Sequence, residues 1–190
     1  MDIIFVRHGR TEINERGCYG DIHDGGLSKE GISEIERLKG TLEDFEFDCI
    51  FSSHMKRAME SASIITREFI LDDRLNEMNF GIFEGFNYEE VNSKYPQESK
   101  KWAENFLSYR IPTGESLLDV YKRTAGFIED VNKLYKSVLV FTHAGVIRCA
   151  LSRVFDRPDY FYRFKVESGT FTAISIDDGY MYIKGINKII

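Results

Sequence analysis

Two runs in this chain put residues that can do chemistry where an apolar segment stops. Ile3-Ile4-Phe5-Val6 gives way to Arg7-His8-Gly9-Arg10-Thr11, and Val138-Leu139-Val140-Phe141 gives way to Thr142-His143-Ala144-Gly145. Short runs of β-branched and aromatic residues read as strands buried on both faces. A guanidinium, an imidazole and a glycine at the carboxyl end of such a strand suit a site that binds an anion and attacks it. Arg7 can fork onto phosphate or carboxylate oxygens, His8 can act as nucleophile or base near neutral pH, and Gly9 lets the backbone close up beside them. Alone, an Arg-His pair after a strand is more often a surface turn. Here the same grammar returns: Asp48-Cys49-Ile50-Phe51 runs into Ser52-Ser53-His54 with Arg57 close behind, and Arg74-Leu75-Asn76-Glu77 follows a third candidate strand at Ile70-Leu71.

The elements that must position these groups alternate along the chain. Glu12 to Gly26 is polar and glycine-rich, a loop expected to lie over the site, and Ser28 is a fitting N-cap for a helix carrying Ile32, Ile35, Leu38 and Leu42. A second helix has an apolar stripe of Met55, Ala58, Met59, Ala62, Ile65 and Phe69. Residues 87–109 read as two short helices parted at Tyr95-Pro96, with Trp102, Phe106 and Tyr109 on one face of the second. Glu115-Ser116 opens a long helix with Leu117, Tyr121, Ala125, Ile128, Val131 and Tyr135 at helical spacing, and another helix follows His143 through Leu151. Thr170 to Asp177, a turn at Asp178-Gly179 and Tyr180 to Lys184 read as an antiparallel hairpin. The alternation implies an α/β fold: a three-layer α/β/α sandwich with a mainly parallel central sheet and an antiparallel edge. Ligands of such sheets bind beyond the carboxyl ends of the strands, where Arg7, His8, Ser53, Arg57, Glu77 and His143 are expected to meet. Two arginines and two histidines there would make a positive pocket suited to a dianionic phosphate.

That pocket would be local, because the 190-residue chain carries a net charge of −6 with a pI near 5.3. An acidic chain lacks the broad basic face a nucleic-acid surface needs, so no nucleic-acid partner is expected. With 43% hydrophobic and 14% aromatic residues, and only three prolines, residues 1–190 can form one domain without a linker. No run approaches membrane-spanning length and the first strand leaves no room for a leader, so a cytoplasmic protein without membrane contact is expected. Cys18, Cys49 and Cys149 lack C-x-x-C spacing, and the last two sit in apolar surroundings as small hydrophobes. The four histidines lack a zinc-binding spacing and no P-loop is present, so neither metal nor other cofactor is expected. His54 reads as exposed or capping, and His23 falls in the glycine-rich loop.

Taken together, Arg7-His8-Gly9-Arg10-Thr11 with Asn14, Leu27-Ser28-Lys29-Glu30-Gly31, Ser52 to Ala58, Leu75-Asn76-Glu77 with Phe80-Gly81 and Phe83-Glu84-Gly85, Gly114-Glu115-Ser116 and Thr142-His143-Ala144-Gly145 resemble the histidine phosphatase superfamily, phosphoglycerate-mutase-like branch. The motifs stand in order over roughly residues 3 to 150. Gly25-Gly26, where relatives often have proline before the leucine, and Ser61-Ala62, where Thr-Ala is usual, depart from the pattern at packing positions. The resemblance implies that His8 accepts the phosphoryl group as phosphohistidine and that Arg7, Arg57 and His143 hold the phosphate oxygens. Glu77 would give a proton to the leaving oxygen and later take one from water. Asn14, Ser53 and Thr11 are further candidates for phosphate or loop hydrogen bonds, with cap and turn roles as the alternative.

Residues 85–113 are short for a mutase insertion, and Lys100-Lys101 is the only basic pair there, which favours a phosphatase acting on a small-molecule phosphate ester. Phe83-Glu84-Gly85, Tyr88-Glu89-Glu90, Tyr95-Pro96-Gln97-Glu98, Trp102, Tyr109 and Ile111 to Ser116 resemble the α-ribazole phosphatases of cobalamin assembly. That resemblance implies α-ribazole 5′-phosphate as substrate under a helical lid of residues 86–113, whose aromatics either stack on the benzimidazole or merely pack the lid. A broad sugar-phosphate phosphatase or phosphoglycerate mutase is the alternative enzyme. A non-catalytic phosphate-binding scaffold is the alternative of another class, and a homodimer stays open.

Overall fold

β1 (Asp2–Arg7) takes the middle of the sheet because both its faces are apolar: Ile3 and Phe5 pack into one core, Ile4 and Val6 into another, and all four are buried. The computed structural model describes residues 1–20 and 25–189, so His23 lies outside the described residues. After β1 the chain forms the short helix α1 (Glu12–Glu15), where sequence alone suggested only loop, then α2 (Lys29–Leu42), β2 (Cys49–Ser52), α3 (Lys56–Ile65) and β3 (Ile70–Leu71). A 3₁₀ turn at Asp73–Leu75 leads toward α4 (Tyr88–Lys94) and α5 (Pro96–Glu104), followed by α6 (Leu117–Leu134), β4 (Ser137–Thr142) and α7 (Ala144–Arg153). A 3₁₀ segment at Pro158–Arg163 precedes the hairpin β5 (Phe171–Asp177) and β6 (Tyr180–Lys188), which runs four residues further than its sequence pattern indicates.

The six strands form one sheet in the order β3-β2-β4-β1-β5-β6. β1, β4, β2 and β3 run parallel, while β5 is antiparallel to β1 and β6 to β5. The fold is therefore the expected α/β sandwich with an antiparallel edge. One face is covered by α6 and α7, with Phe127, Ile128, Val131, Val146 and Ile147 against Phe5, Phe51 and Val140. The other is covered by α2 and α3, with Ile35, Leu38 and Ala62 against Val6, Leu139 and Phe141. No described helix is long and apolar enough to cross a membrane.

Two helix ends and one buried face differ from the sequence reading. α3 ends at Ile65, so Phe69 joins the lower core from the following loop instead of extending the helical stripe. α5 ends at Glu104, so Trp102 is helical while Phe106 and Tyr109 lie beyond it. In α6 the buried face runs through Val120, Thr124 and Phe127, turned away from Tyr121 and Ala125, because the helix must face β2 and α7 at once. Cys149 is buried as expected, but Cys49 is only partly so.

Candidate active site

Parallel register brings three strand ends side by side. Arg7 lies opposite Thr142, His8 N–H donates to Thr142 C=O at 3.0 Å, and Ser53 N–H donates to Phe141 C=O at 3.0 Å. The residues just past β1, β4 and β2 therefore converge. The rings of His8 and His143 stand 5.1 Å apart between centroids, tilted by 58°. His8 and Arg57 are each 3% exposed and His143 is fully buried.

The hydrogen bonds around His8 fix its tautomer. Nδ1 lies 2.7 Å from the carbonyl oxygen of Gly9, which can only accept, so Nδ1 carries the proton and Nε2 keeps a lone pair. That lone pair faces Arg57, whose Nε–H reaches it at 3.3 Å. Burial holds the imidazole well below its ordinary pKa of 6.5, and the charges of Arg57 and Arg7 push the same way against the Gly9 bond. Burial, then Arg57, His8, Arg123 and Arg7, also hold His143 well below 6.5.

His143 is the N-cap residue of α7, and its Nε2 bonds the Ser53 hydroxyl at 2.8 Å. The Ser53 hydroxyl also accepts from Met55 N–H at 3.0 Å, so Ser53 orients His143. Arg7 Nη1 donates to Val166 C=O at 2.6 Å. Among the described residues, Arg7 Nε and His143 Nδ1 are buried without a partner. Orphaned polar atoms are rare in folded proteins, and two unpartnered nitrogens beside the His8 imidazole and Arg57 are what an oxyanion would satisfy.

The loop carrying His8 is held from behind by close backbone contact. A Cβ on Gly9 would come within 2.2 Å of Gly31 O, and one on Gly31 within 2.2 Å of Arg10 O, so α2 can abut the loop only through two glycines. Glu34 on α2 accepts from Arg10 N–H at 3.0 Å and pairs with the Arg10 guanidinium at 2.8 Å. Ser61 on α3 accepts from Gly9 N–H and donates to Arg57 C=O, at 3.2 and 2.8 Å, joining the imidazole's loop to the arginine's helix. Asn14 Oδ1 accepts from Thr11 N–H at 3.2 Å, which braces the turn after the imidazole. His54 is exposed, 3.4 Å from Asp73.

Glu77 enters from the segment after the 3₁₀ turn. Its carboxylate accepts from Met78 N–H at 3.0 Å and from Gly145 N–H at 3.3 Å in the first turn of α7. Arg123 on α6 fixes that segment by donating to the carbonyls of Arg74 and Glu77 at 2.7 and 3.2 Å while paired with Glu115 at 2.9 Å. Beside Glu77 a cavity of about 160 Å³ is lined mainly by aromatic groups, among them Tyr19, Phe80, Trp102, Phe161 and Tyr162, with Arg148 the cation in its wall. Trp102 and Phe106 line it; Tyr109 turns away to give its hydroxyl to Glu98.

The structure thus gathers Arg7, His8, Ser53, Arg57, Glu77 and His143 at one edge of the sheet, with the Asn14 oxygen bracing the loop beside them. Arg123, Arg148 and Tyr19 were not singled out in the sequence. Arg123 and Arg148 sit inside helices, where a cation reads as a solvated face, and Tyr19 lies in a loop without a pattern. The arrangement can bind a tetrahedral oxyanion, present a nucleophilic nitrogen to its centre, and offer a carboxyl group on the side of the aromatic cavity.

Comparison with known proteins agrees. The family model of the histidine phosphatase superfamily, branch 1, matches residues 3–189. Phosphoserine phosphatase 1 of Hydrogenobacter thermophilus is 33% identical over 187 residues, covering 94% of this chain and 88% of that protein. The adenosylcobalamin/alpha-ribazole phosphatase of Escherichia coli is 26% identical over 196 residues, covering 99% and 96%. The crystal structure of the alpha-ribazole phosphatase from Shigella flexneri superposes with a TM-score of 0.89 at 25% identity, covering 99% of this chain and 96% of the other. With a family model spanning nearly all of its length and relatives matched end to end, the chain belongs to the histidine phosphatase superfamily, branch 1, and it is a phosphatase.

Proposed function

We propose that this protein hydrolyses small phosphomonoesters through a phosphohistidine at His8, without a metal ion. The observation that carries the reading is the lone pair on Nε2 of a buried, neutral imidazole, met by Arg57 Nε–H at 3.3 Å, with the unpartnered nitrogens of Arg7 and His143 close by. Arg7, Arg57 and His143 hold the phosphate oxygens. Nε2 attacks phosphorus in line, the ester P–O bond breaks, and the leaving oxygen takes a proton from Glu77. Water then attacks the phosphohistidine, Glu77 takes its proton, and inorganic phosphate leaves with Nε2 regenerated. Little covalent work is required beyond positioning and neutralising charge, which the cationic clamp supplies. Ser53 acts through His143 and Asn14 through the Thr11 loop, and residues 86–113 serve as a lid whose Trp102 walls the leaving-group cavity.

For the leaving group, α-ribazole 5′-phosphate is one candidate, supported by the aromatic lining and by similarity to α-ribazole phosphatases. A small phosphorylated acid is a second, favoured by the cavity's volume of about 160 Å³. That is well under the roughly 300–1,000 Å³ of pockets enclosing drug-sized ligands, so a ribose bearing a two-ring base would require the lid to open. Rapid quenching during turnover of a ³²P-labelled monoester tests the chemistry. The wild type should carry acid-labile label, His8→Ala none, and chelator should leave the rate unchanged. Absence of label, or loss of rate with chelator, would overturn the metal-free phosphohistidine route.

A further inference from the structure

Two rings from unconnected parts of the chain meet in the wall of the cavity beside Glu77. Phe106 follows α5, and Tyr162 belongs to the 3₁₀ segment Pro158–Arg163; both line the cavity, and their ring centroids stand 5.2 Å apart. That 3₁₀ segment treats its consecutive aromatics differently. Phe161 is buried in the core, whereas Tyr162 is 60% exposed and meets the Phe161 ring edge-on at 5.0 Å, so its side chain has the cavity on one side and solvent on the other. The Tyr19 wall is held more firmly. Tyr19 stacks on Phe80 at 5.3 Å and meets Trp102 edge-on at 5.2 Å. Its backbone N–H donates to Phe86 C=O at 2.9 Å and its C=O accepts from Gly85 N–H at 2.8 Å. Between Phe106 and Tyr162 the join is a contact of ring on ring, which is weaker and can part. The enclosed space has a definite capacity: about 160 Å³ is close to the roughly 150 Å³ that holds a single benzene ring, and leaves no room for a second fused ring unless a wall moves.

We propose that Phe106 and Tyr162 are specificity-determining residues that set an upper size on the leaving group, admitting an acyclic or one-ring alcohol and turning away a two-ring one. The proposal rests on hydrolysis at His8 and separates the two leaving-group readings by size alone. Close-packed side chains yield little to compression, so a leaving group too large for the space must part the two rings. Parting them loses their contact and exposes apolar ring faces to water, a penalty that the smaller leaving group does not meet.

The experiment measures kcat/KM of wild type, Tyr162→Ala, Tyr162→Phe and Phe106→Ala on two matched pairs of esters. Phenyl and 1-naphthyl phosphate differ by one fused ring; ribose 5-phosphate and α-ribazole 5′-phosphate share the ester and differ by the two-ring base. Wild type should favour the smaller member of each pair by about 10-fold or more. In Tyr162→Ala and Phe106→Ala the larger member should gain about 3–10-fold while the smaller loses about 2–5-fold, having lost a wall to sit against. Tyr162→Phe keeps the ring and should keep the wild-type ratios. Because Tyr162 is mostly exposed, Tyr162→Ala tests the filter even where Phe106→Ala proves too unstable to assay. A wild type that takes the larger member of either pair as readily as the smaller overturns the proposal. So do alanine variants in which both members of a pair fall together with their ratio intact, which is what rings that merely support the lid would give. Either result leaves the His8 chemistry standing, whereas a wild type that hydrolyses none of the four esters overturns the His8 reading and the filter together.

Discussion

His8 owes its neutrality to burial first and to Arg57 and Arg7 second, and the two causes can be separated. Removing the Arg57 charge makes the imidazolium easier to form, so the His8 pKa must rise. In Arg57→Gln the acidic limb of the kcat/KM profile should therefore move to higher pH, toward 6.5, while the maximum falls about 10²–10³-fold for loss of one anion-stabilising donor. A limb that stays put would mean that Arg57 does not govern the imidazole. Ser53→Ala should lower kcat/KM about 5–100-fold by leaving His143 Nε2 unsatisfied, with the fold retained by circular dichroism. At this scale the sequence was informative about groups that follow strands, since Arg7, His8, Ser53 and His143 stand at strand ends whatever the rest of the chain does. It was silent on Arg148 and Arg123, whose surroundings are supplied entirely by distant segments.

Helix α7 does more than carry His143, because its first turn also receives the Glu77 carboxylate at Gly145 N–H. A Cβ at Gly145 would come within 2.2 Å of Glu77 Oε1, so Gly145→Ala must displace the carboxylate. If Glu77 is the acid, kcat/KM for alkyl phosphates should fall about 10²-fold or more. p-Nitrophenyl phosphate, whose leaving group needs no proton, should be nearly unaffected; equal losses on both would refute the role given to Glu77. Gly31→Ala tests the other close contact: pressing α2 off the His8 loop should cost about 1–3 kcal/mol in urea unfolding. Element types followed from periodicity, but their ends did not. α3 stops at Ile65 and α5 at Glu104 because Phe69 and Phe106 are drawn into tertiary contacts, and no local pattern records those.

The molecule as a whole should be destabilised by mild acid. His8 and His143 stay neutral when folded, but in the unfolded chain they protonate near pH 6.5. Below that pH the unfolded state binds more protons, so stability rises with pH and falls as pH drops, by at most about 1.4 kcal/mol per pH unit for each imidazole. The Tm should therefore be lower at pH 5.5 than at 7.5, and His143→Asn should shrink the difference; an unchanged difference would place the effect elsewhere. The sandwich was readable from alternation alone, whereas the strand order was not, since nothing local tells β1 which neighbours to choose. Its partners are β4 and β5, residues 137–142 and 171–177. During translation the opening strand must therefore wait, unzipped on both sides, until residue 137 and those after it have left the ribosome. Arg7 and His8 follow along that strand, so a nascent chain stalled before β4 carries the Arg-His pair without the His143 and Thr142 that it meets in the folded protein.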